Sequence, residues 1–557
     1  MAKPTPELPN KLLSLTILHP YLDVQRNTPY IIAILGIGGK GGHRLASYYH
    51  DLGCTVIGFD IKENDNIRRL RKRGIDVSLG NPESEIPADI IIYSFNIPEK
   101  IRDSICIANK TKPFLGIENI LRKLGTLLRK NKLTSNEARL ARKHHIAPLV
   151  NLNFDGITFI GITGTDGKTT SSELLHHVLQ KMGHKTGIIS TVQTKIGNKV
   201  IVSDPHVTTP SSDEVAAIVT KMQKAHCTHI IIEASSQGLV SDRLIGIQFD
   251  AVTITNVTAE HLDFHKTWIN YLNAKKVILK EFLKPKGIAI LNTDDRSFKK
   301  LCNVSTSARS YSIAPANKAY YHASNIKYKN AETTFSLAYQ NHKYQVTISL
   351  PGEYNVSNTL GVIGILDSIG IDIPAALSHF ASFKGSRGRM QVIQHLPYTV
   401  IVDFAHTPNG LQNALKAAAL FKSRPENKII GVIGCSGSRD PYKRVVMGRI
   451  AHDIADITII APINPRNECQ KSINLQVITG WKHGYDLKEH KELYVSDLYE
   501  LPTENRRDAF RQALKIAEPG DVVIATGKGH QNDICDNHNT YEWSDIEEFQ
   551  KLLNETS

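Results

Sequence analysis

A chain of 557 residues, 41% of them apolar, is too long for one hydrophobic core, and its length points to three or four domains that each bury their own. No apolar run approaches the roughly 20 residues of a membrane-spanning helix, and the polar, proline-broken opening at 1–9 is unlike a secretory leader. The formal net charge of +13 suits a partner carrying phosphates or carboxylates, while seven scattered cysteines with no Cys-x-x-Cys pair speak against a disulfide frame or zinc ribbon and predict reduced thiols in a cytoplasmic protein.

The first predicted strand, 30–35, runs into Gly36-Ile37-Gly38-Gly39-Lys40-Gly41, then a helix to Leu52 and a second strand at 55–60. A GxGxxG turn inside a βαβ unit, with an acid (Asp60) closing the second strand, is the dinucleotide-binding pattern, and NAD is the ligand it first suggests. A strand at 88–94 continues a parallel sheet. Residues 121–145 hold eight Lys or Arg and one acid, Glu137, with Leu121, Leu124, Leu127 and Leu128 on one helical face. That segment reads as a helix with a solvated basic face; no nucleic-acid-binding module accompanies it, so no nucleic acid is expected as a partner.

A second α/β domain starts near Ile157. Its first strand enters Gly164-Thr165-Asp166-Gly167-Lys168-Thr169-Thr170, and a helical pattern follows at once. Strand, glycine-rich turn and helix in that order make a phosphate-binding loop: backbone N–H groups approach the phosphates, the lysine reaches the β/γ oxygens, and the next hydroxyl can hold Mg²⁺. Ile162 stands where the first glycine of the common GxxxxGK[ST] loop belongs. Strands at 187–191, 229–233, 251–256 and 288–292 alternate with helices as in a doubly wound sheet, and 333–350 reads as a hairpin added at its edge. The basic, glycine-rich stretch 384–389 is a predicted hinge. Beyond it, strands at 399–404, 429–433, 457–461 and 521–525 define a third α/β unit.

Further blocks follow in a fixed order: Glu233-Ala234-Ser235-Ser236; Thr255-Asn256; His261-Leu262-Asp263-Phe264-His265; Tyr271-Leu272-Asn273-Ala274-Lys275; Gly352-Glu353-Tyr354-Asn355-Val356-Ser357-Asn358; Gly388-Arg389-Met390; Asp403-Phe404-Ala405-His406-Thr407-Pro408; Gly434-Cys435-Ser436-Gly437-Ser438-Arg439-Asp440; Asn464-Pro465-Arg466; and Gly527-Lys528-Gly529-His530. Together with the loop at Gly164–Thr170 this series, over roughly 157–535, resembles the Mur ligases, most closely those that add the third stem-peptide residue to a UDP-N-acetylmuramoyl dipeptide. The Gly36-Ile37-Gly38-Gly39 turn is instead similar to the opening domain of the UDP-N-acetylmuramate–alanine ligases, where it receives the UDP part of the substrate rather than NAD.

The resemblance implies a three-domain α/β architecture: a Rossmann-like UDP-substrate domain (1–152), a central P-loop ATPase-like doubly wound sheet (153–388) and a Rossmann-like amino-acid domain (389–557). It implies an ATP-dependent, cytoplasmic amide ligase of peptidoglycan synthesis, acting as a monomer on a UDP-N-acetylmuramoyl peptide and a free amino acid. The acceptor carboxylate would be activated as an acyl phosphate, a route on which positioned cations supply most of the catalysis. ATP would be bound by Gly164, Thr165, Asp166, Gly167, Lys168, Thr169 and Thr170 with Asn355, Asn358, Arg389 and Asp403. Two Mg²⁺ sites would draw on Thr169, Glu233, His261 and Lys275, with Lys168, His261 and Lys275 catalytic. His261, Asp263 and His265 alternate as a transition-metal site could in an extended chain, but the resemblance gives only His261 a metal, a second Mg²⁺. Lys275 would be carbamylated by CO₂, since an unmodified ammonium there would repel Mg²⁺.

The UDP-muramoyl substrate would meet Gly36, Gly38, Gly39, Thr208, Thr209, Ser235 and Arg243. The incoming amino acid would meet Arg439, Asn464, Arg466, Gly527 and Gln531. Arg466 implies a distal carboxylate and makes diaminopimelate the first expectation. Against it, Ile463 and Gln531 replace two acids of the family pattern, so an amino acid without a distal ammonium competes. Alternatives are a ligase recycling preformed peptides onto UDP-N-acetylmuramate, a ligase of an unrelated acid such as a glutamyl chain, a silent binding homologue, and an NAD-dependent dehydrogenase.

Overall fold

The computed structural model describes Leu18 and residues 28–556 apart from 83–84, 95–96, 130–131, 145–147, 204–206, 242, 306, 330–331, 485–490 and 538. The opening stretch 1–9, Lys130 and His145 lie outside the described residues. Contacts divide the chain into two compact units, 1–155 with 210–221 and 237–247, and 156–209 with 222–236 and 248–557.

In the first unit five strands, β1 (Ile31–Leu35), β2 (Thr55–Asp60), β3 (Asp76–Leu79), β4 (Ile90–Tyr93) and β5 (Phe114–Gly116), lie parallel in the order β3-β2-β1-β4-β5. β1 and β4 read as unbroken apolar runs because helices cover both faces of a parallel sheet. The helix Ile117–Arg129 buries Leu121, Leu124 and Leu128, with Leu127 at the margin, in a core shared with Leu45, Tyr48 and Tyr49 of the helix Lys40–Asp51. The predicted leucine face is therefore a packing face, and Lys123, Lys132 and Arg139 are exposed.

The second unit contains an eleven-stranded sheet and a six-stranded one. The larger comprises β6 (Thr158–Thr163), β7 (Thr186–Ile189), β8 (Gln193–Ile196), β9 (Lys199–Ser203), β10 (His229–Glu233), β11 (Phe249–Ile254), β12 (Leu283–Asn292), β13 (Ala308–Ser312), β14 (Tyr321–Lys329), β15 (Glu332–Tyr339) and β16 (His342–Ile348). Their order is β16-β15-β14-β13-β12-β11-β6-β10-β7-β8-β9. β6 sits between β10 and β11, both parallel to it, and the chain winds to β7 on one side and to β12 on the other. The carboxyl end of β6 is thus the topological switch point, where open α/β sheets bind ligands. β15 and β16 form the expected edge hairpin, enlarged by β14, while the antiparallel pair β8 and β9 at the opposite edge was not foreseen. The helix Glu353–Ser368 buries Val356, Leu360, Ile363 and Leu366 against this sheet.

The smaller sheet holds β17 (Gln391–Gln394), β18 (Thr399–Val402), β19 (Ile429–Ile433), β20 (Ile457–Ile460), β21 (Glu492–Val495) and β22 (Val522–Ala525), ordered β17-β18-β22-β19-β20-β21 and parallel except for β17. A separate hairpin, β23 (Asp533–Asp536) with β24 (Asn539–Glu542), follows β22. Arg506 anchors this sheet from beneath. Its fully buried guanidinium forks onto Asp545 at 2.7 and 2.6 Å and donates to the carbonyls of Pro462 and Thr526 at 3.0 and 3.1 Å. Those carbonyls lie just past β20 and β22, so the pair sets where Ile463 and Gly527 begin. Removing the carboxylate would strand a buried cation: Asp545→Ala is expected to lower stability by about 3–5 kcal/mol, read as a shift in the urea-unfolding midpoint.

Candidate functional site

The loop after β6 owes its shape to two close approaches. Gly164 has φ +152° and a Cβ there would overlap Thr255 Oγ1; Gly167 has φ +83° and a Cβ there would overlap Asn358 Oδ1. Gly167 caps the helix Lys168–Lys181, whose free N–H groups and positive dipole end face the loop. Thr255 and Asn256, just past β11, hold the loop from below. Thr255 Oγ1 donates to the Asp166 carbonyl at 2.6 Å, Asn256 Oδ1 accepts from the Asp166 N–H at 3.0 Å, and the Asn256 carbonyl accepts from the Thr165 N–H at 2.9 Å. The Asp166 carboxylate accepts from Thr407 Oγ1 at 3.1 Å and Asn409 Nδ2 at 2.9 Å, both at the start of the helix Pro408–Ala418.

Lys168 Nζ donates to the Gly164 and Thr165 carbonyls at 3.1 and 2.9 Å, so its ammonium curls over the loop. Burial pulls its pKa down, opposed by Glu233 and Asp166. Glu233 ends β10 with its side chain fully buried, accepting from Thr191 Oγ1 at 2.7 Å and Thr169 Oγ1 at 3.2 Å. Burial pushes its pKa up against the pull of Lys168 and the Thr191 hydrogen bonds. The loop's lysine, the hydroxyl after it and the strand-end acid are thereby brought together.

His261 and Lys275 reach the same region. Lys275 Nζ, almost wholly buried, donates to the Gly164 carbonyl at 2.7 Å and lies over the Tyr271 ring at 4.5 Å. Burial first, and then Lys168, holds its pKa well below the usual lysine range. His261 adopts φ +56°, a left-handed conformation that costs a non-glycine residue energy and marks a constrained position. Burial and then Lys275 bring its imidazole down to about 3, so it is neutral with a lone pair available. The alternation in His261–His265 does not survive folding. Leu262–His265 is a helical turn, His265 Nε2 bonds Ser236 Oγ at 2.9 Å, and Asp263 faces Arg439 at 3.6 Å, so the three do not converge.

From the smaller sheet, Arg389 stacks on Phe404 at 4.3 Å and reaches Thr169 Oγ1 with Nη2 at 3.4 Å. Asp403 accepts from the Met390 and Ala405 N–H groups, both at 2.7 Å, which fixes the turn that aims Arg389. Asn355 and Asn358 share a 3.3 Å hydrogen bond on the buried face of the helix Glu353–Ser368, and Asn355 Nδ2 also holds the Pro351 carbonyl at 2.7 Å. Gly388, beside Arg389, has φ +67°, and a Cβ there would overlap the backbone of Gly529 and His530. The predicted hinge therefore lies directly on the Gly527–His530 loop.

The residues expected around the amino acid gather at the ends of β19, β20 and β22. Asn464 Oδ1 accepts from Lys528 Nζ at 3.1 Å and from the Cys535 N–H at 2.9 Å. Arg466 donates from Nη1 to the Gly437 carbonyl at 3.1 Å. Arg439 is half exposed, and Gln531 donates its backbone N–H to the Lys528 carbonyl at 3.0 Å. Thr209 Oγ1 joins Ser235 Oγ at 3.1 Å, and Thr208 Oγ1 accepts from Thr191 Oγ1 at 3.1 Å. Arg243 belongs to the other compact unit, with Gly36, Gly38 and Gly39. There Asp60, the acid a dinucleotide pattern reserves for a ribose, accepts from the Gly38 N–H at 2.8 Å, and the Gly39 N–H turns back to the Gly36 carbonyl at 3.2 Å.

Family profiles match three segments of the chain: Mur ligase family, catalytic domain at 31–132; Mur ligase middle domain at 162–366; and Mur ligase, glutamate ligase domain at 388–529. The chain belongs to the Mur ligase family. A Clostridium botulinum relative named UDP-N-acetylmuramoyl-L-alanyl-D-glutamate–2,6-diaminopimelate ligase is 34% identical over 403 residues, 72% of this chain and 78% of its own. A solved structure of a ligase of the same name is similar at 26% identity and a TM-score of 0.52, covering 86% of this chain and 94% of that one. A Thermotoga maritima UDP-N-acetylmuramate–alanine ligase shares the fold at 18% identity, TM-score 0.50, over 95% and 99% of the two chains. As a Mur ligase this protein is an ATP-dependent, ADP-forming ligase.

Sequence reasoning gave no role to Thr191, Thr407, Asn409, Glu260 or Lys443, although this Mur ligase uses them to hold its central side chains. Glu260 and Lys443 form a buried 3.0 Å ion pair next to His261. The one signal available was Thr407-Pro408, an N-cap followed by proline at the first helical position. The tight fit of Gly167 supports a measurable expectation. Gly167→Ala combines a left-handed backbone with a clash on Asn358, and is expected to weaken ADP binding by roughly tenfold or more in calorimetry while leaving the circular dichroism spectrum unchanged.

Proposed function

We propose that this ligase joins diaminopimelate to UDP-N-acetylmuramoyl-L-alanyl-D-glutamate during peptidoglycan assembly. The observation that carries the reading is Arg466: its guanidinium spends one described side-chain hydrogen bond on Gly437, which leaves donors that a carboxylate could take. The relatives named for diaminopimelate support the same choice.

The reaction begins with a carboxylate oxygen of the acceptor attacking the γ-phosphorus of ATP, which breaks the bond to the β-phosphate oxygen and releases ADP. The substrate amine then attacks the acyl phosphate carbon; the amide bond forms, phosphate departs and the amine loses a proton. Lys168, turning from its two loop carbonyls, neutralises the transferring phosphoryl group. Arg389, stacked on Phe404 and extended to Thr169, supplies a second cation from the other sheet. Asn355, Asn358 and Asp403 position the nucleotide. Thr208, Thr209 and Ser235 offer hydroxyls to the muramoyl substrate.

One Mg²⁺ would draw on the phosphate loop and the end of β10, and a second on His261 with Lys275. Thr169 Oγ1 and the Glu233 carboxylate are hard oxygen ligands beside the phosphate loop, and His261 offers a neutral nitrogen. Mg²⁺ there would spread the negative charge of the phosphates. An ammonium at Lys275 does not fit beside a cation, whereas a carbamate does. Burial lowers the Lys275 pKa well below the usual lysine range and so favours the free amine, the form that adds to CO₂ with formation of an N–C bond and release of a proton. Lys275→Ala is expected to lose most activity and to regain part of it with a short carboxylate such as acetate. Full activity in the unrescued variant would sink the carbamate.

The decisive assay is phosphate release from ATP, with Mg²⁺ and bicarbonate, using the UDP-muramoyl dipeptide with a panel of amino acids and, separately, free tripeptide with UDP-N-acetylmuramate. Turnover with diaminopimelate is expected to exceed that with lysine by at least roughly a hundredfold, the discrimination expected of a site left with an unpaired buried group. Turnover only with free tripeptide would replace synthesis by recycling.

A further inference from the structure

A diamino dicarboxylic acid presents both a carboxylate and an ammonium at its far end, and Arg466 complements only the first. Neither position that the family pattern fills with an acid supplies the second. Ile463 is 2% exposed and packed so closely on Gly527 that a Cβ on the glycine would overlap its Cδ1, so this position belongs to the core. Gln531 carries no charge.

The β23–β24 hairpin brings a carboxylate to the same place. β23 is stitched to the Asn464-Pro465-Arg466 loop. The Cys535 N–H donates to Asn464 Oδ1 at 2.9 Å, the Arg466 N–H donates to the Cys535 carbonyl at 3.1 Å, and the Asn537 N–H donates to the Arg466 carbonyl at 2.7 Å. Alternation along the strand puts Asp533 and Cys535 on one face. Burial first and then Arg439 lower the Arg466 pKa, while the carboxylates of Asp533 and Asp263 oppose that fall and so lie within electrostatic reach of the guanidinium.

The Asp533 side chain is 33% exposed, and its Oδ1 lies 3.4 Å from the buried Lys528 Nζ. Lys528 is already held by Asn464, and burial brings its pKa down to about 8. The other carboxylate oxygen, Oδ2, meets only the weak Cys535 thiol, at 3.8 Å, among the described residues. Backbone pairing thus holds a guanidinium with open donors and a carboxylate with an open oxygen on adjoining segments.

We propose that Asp533 receives the distal ammonium of the incoming amino acid while Arg466 takes its distal carboxylate, so that Asp533 selects a diamino dicarboxylic acid over one lacking the second amine. This rests on the diaminopimelate reading above and gives the acid missing at Ile463 and Gln531 a new position.

The test compares meso-diaminopimelate with 2-aminopimelate, which keeps the distal carboxylate and lacks the distal amine, in the wild type, Asp533→Asn, Asp533→Glu and the double variant Asp533→Asn/Gln531→Glu. In Asp533→Asn the KM for diaminopimelate is expected to rise by roughly tenfold or more, with kcat within about threefold and the KM or competitive inhibition constant of 2-aminopimelate unchanged. Asp533→Glu, or the acid restored at 531, is expected to recover part of the preference. Retained handling of 2-aminopimelate shows that the variant is folded. Equal losses for both compounds, or no loss for either, overturn the role of Asp533 alone. A wild type inert toward diaminopimelate overturns the reading of the function, and this assignment with it.

Discussion

The larger unit depends on one steric constraint: the loop at Gly164–Thr170 must pass within contact distance of Thr255 on one side and Asn358 on the other. Only backbone without a Cβ fits at Gly164 and Gly167. Because the loop is pinned there, the Gly164 carbonyl becomes a shared acceptor for Lys168 and Lys275, and the helix that follows aims its N-terminus at the same space. Strand order then does the rest. Placing β6 between β10 and β11 puts Glu233 and the Thr255-Asn256 pair at either side of the loop without any long connection.

The side chains crowded around this loop are charged, buried and incompletely matched. Lys168, Lys275 and Arg389 all have their pKa values lowered by burial, while Glu233 and Asp403 are raised by it. Burying charges of both signs is costly unless they are paired and hydrogen-bonded. The compensation here is partial, coming from carbonyls, threonine hydroxyls and a few acids. Nucleotide phosphates would complete the cationic half, and a divalent cation the anionic half. A site assembled this way holds its reactants partly because it is incompletely neutralised in their absence.

Much of this was legible in the sequence, for reasons that differ between elements. The loop, β6, β10 and β11 are long apolar runs ended by glycine, acid or asparagine, and local pattern alone placed them. The leucine face of the helix Ile117–Arg129 followed from periodicity. The hairpin β15–β16 was visible because one of its faces is buried, which makes its residues alternate. β8, β9, β23 and β24 are four or five residues long and carry no such alternation, so nothing local marked them. The helical turn at Leu262–His265 carried no local mark, because an alternating string and one helical turn are indistinguishable over five residues. The Thr407 and Asn409 partners of the Asp166 carboxylate and the Glu260–Lys443 ion pair join residues more than 180 positions apart, and sequence pattern holds no information on such pairs.

The contact between Gly388 and the Gly529–His530 backbone ties together two segments that sequence separates by about 140 residues. One precedes the arginine that reaches toward the phosphate loop, and the other leads into Gln531 and the strand bearing Asp533. A side chain introduced on either glycine would press on the opposite segment, so each segment limits what the other can accept. They form one mechanical unit, and a graft meant to carry over the amine preference of a relative is expected to keep its backbone only if 384–389 travels with 527–537.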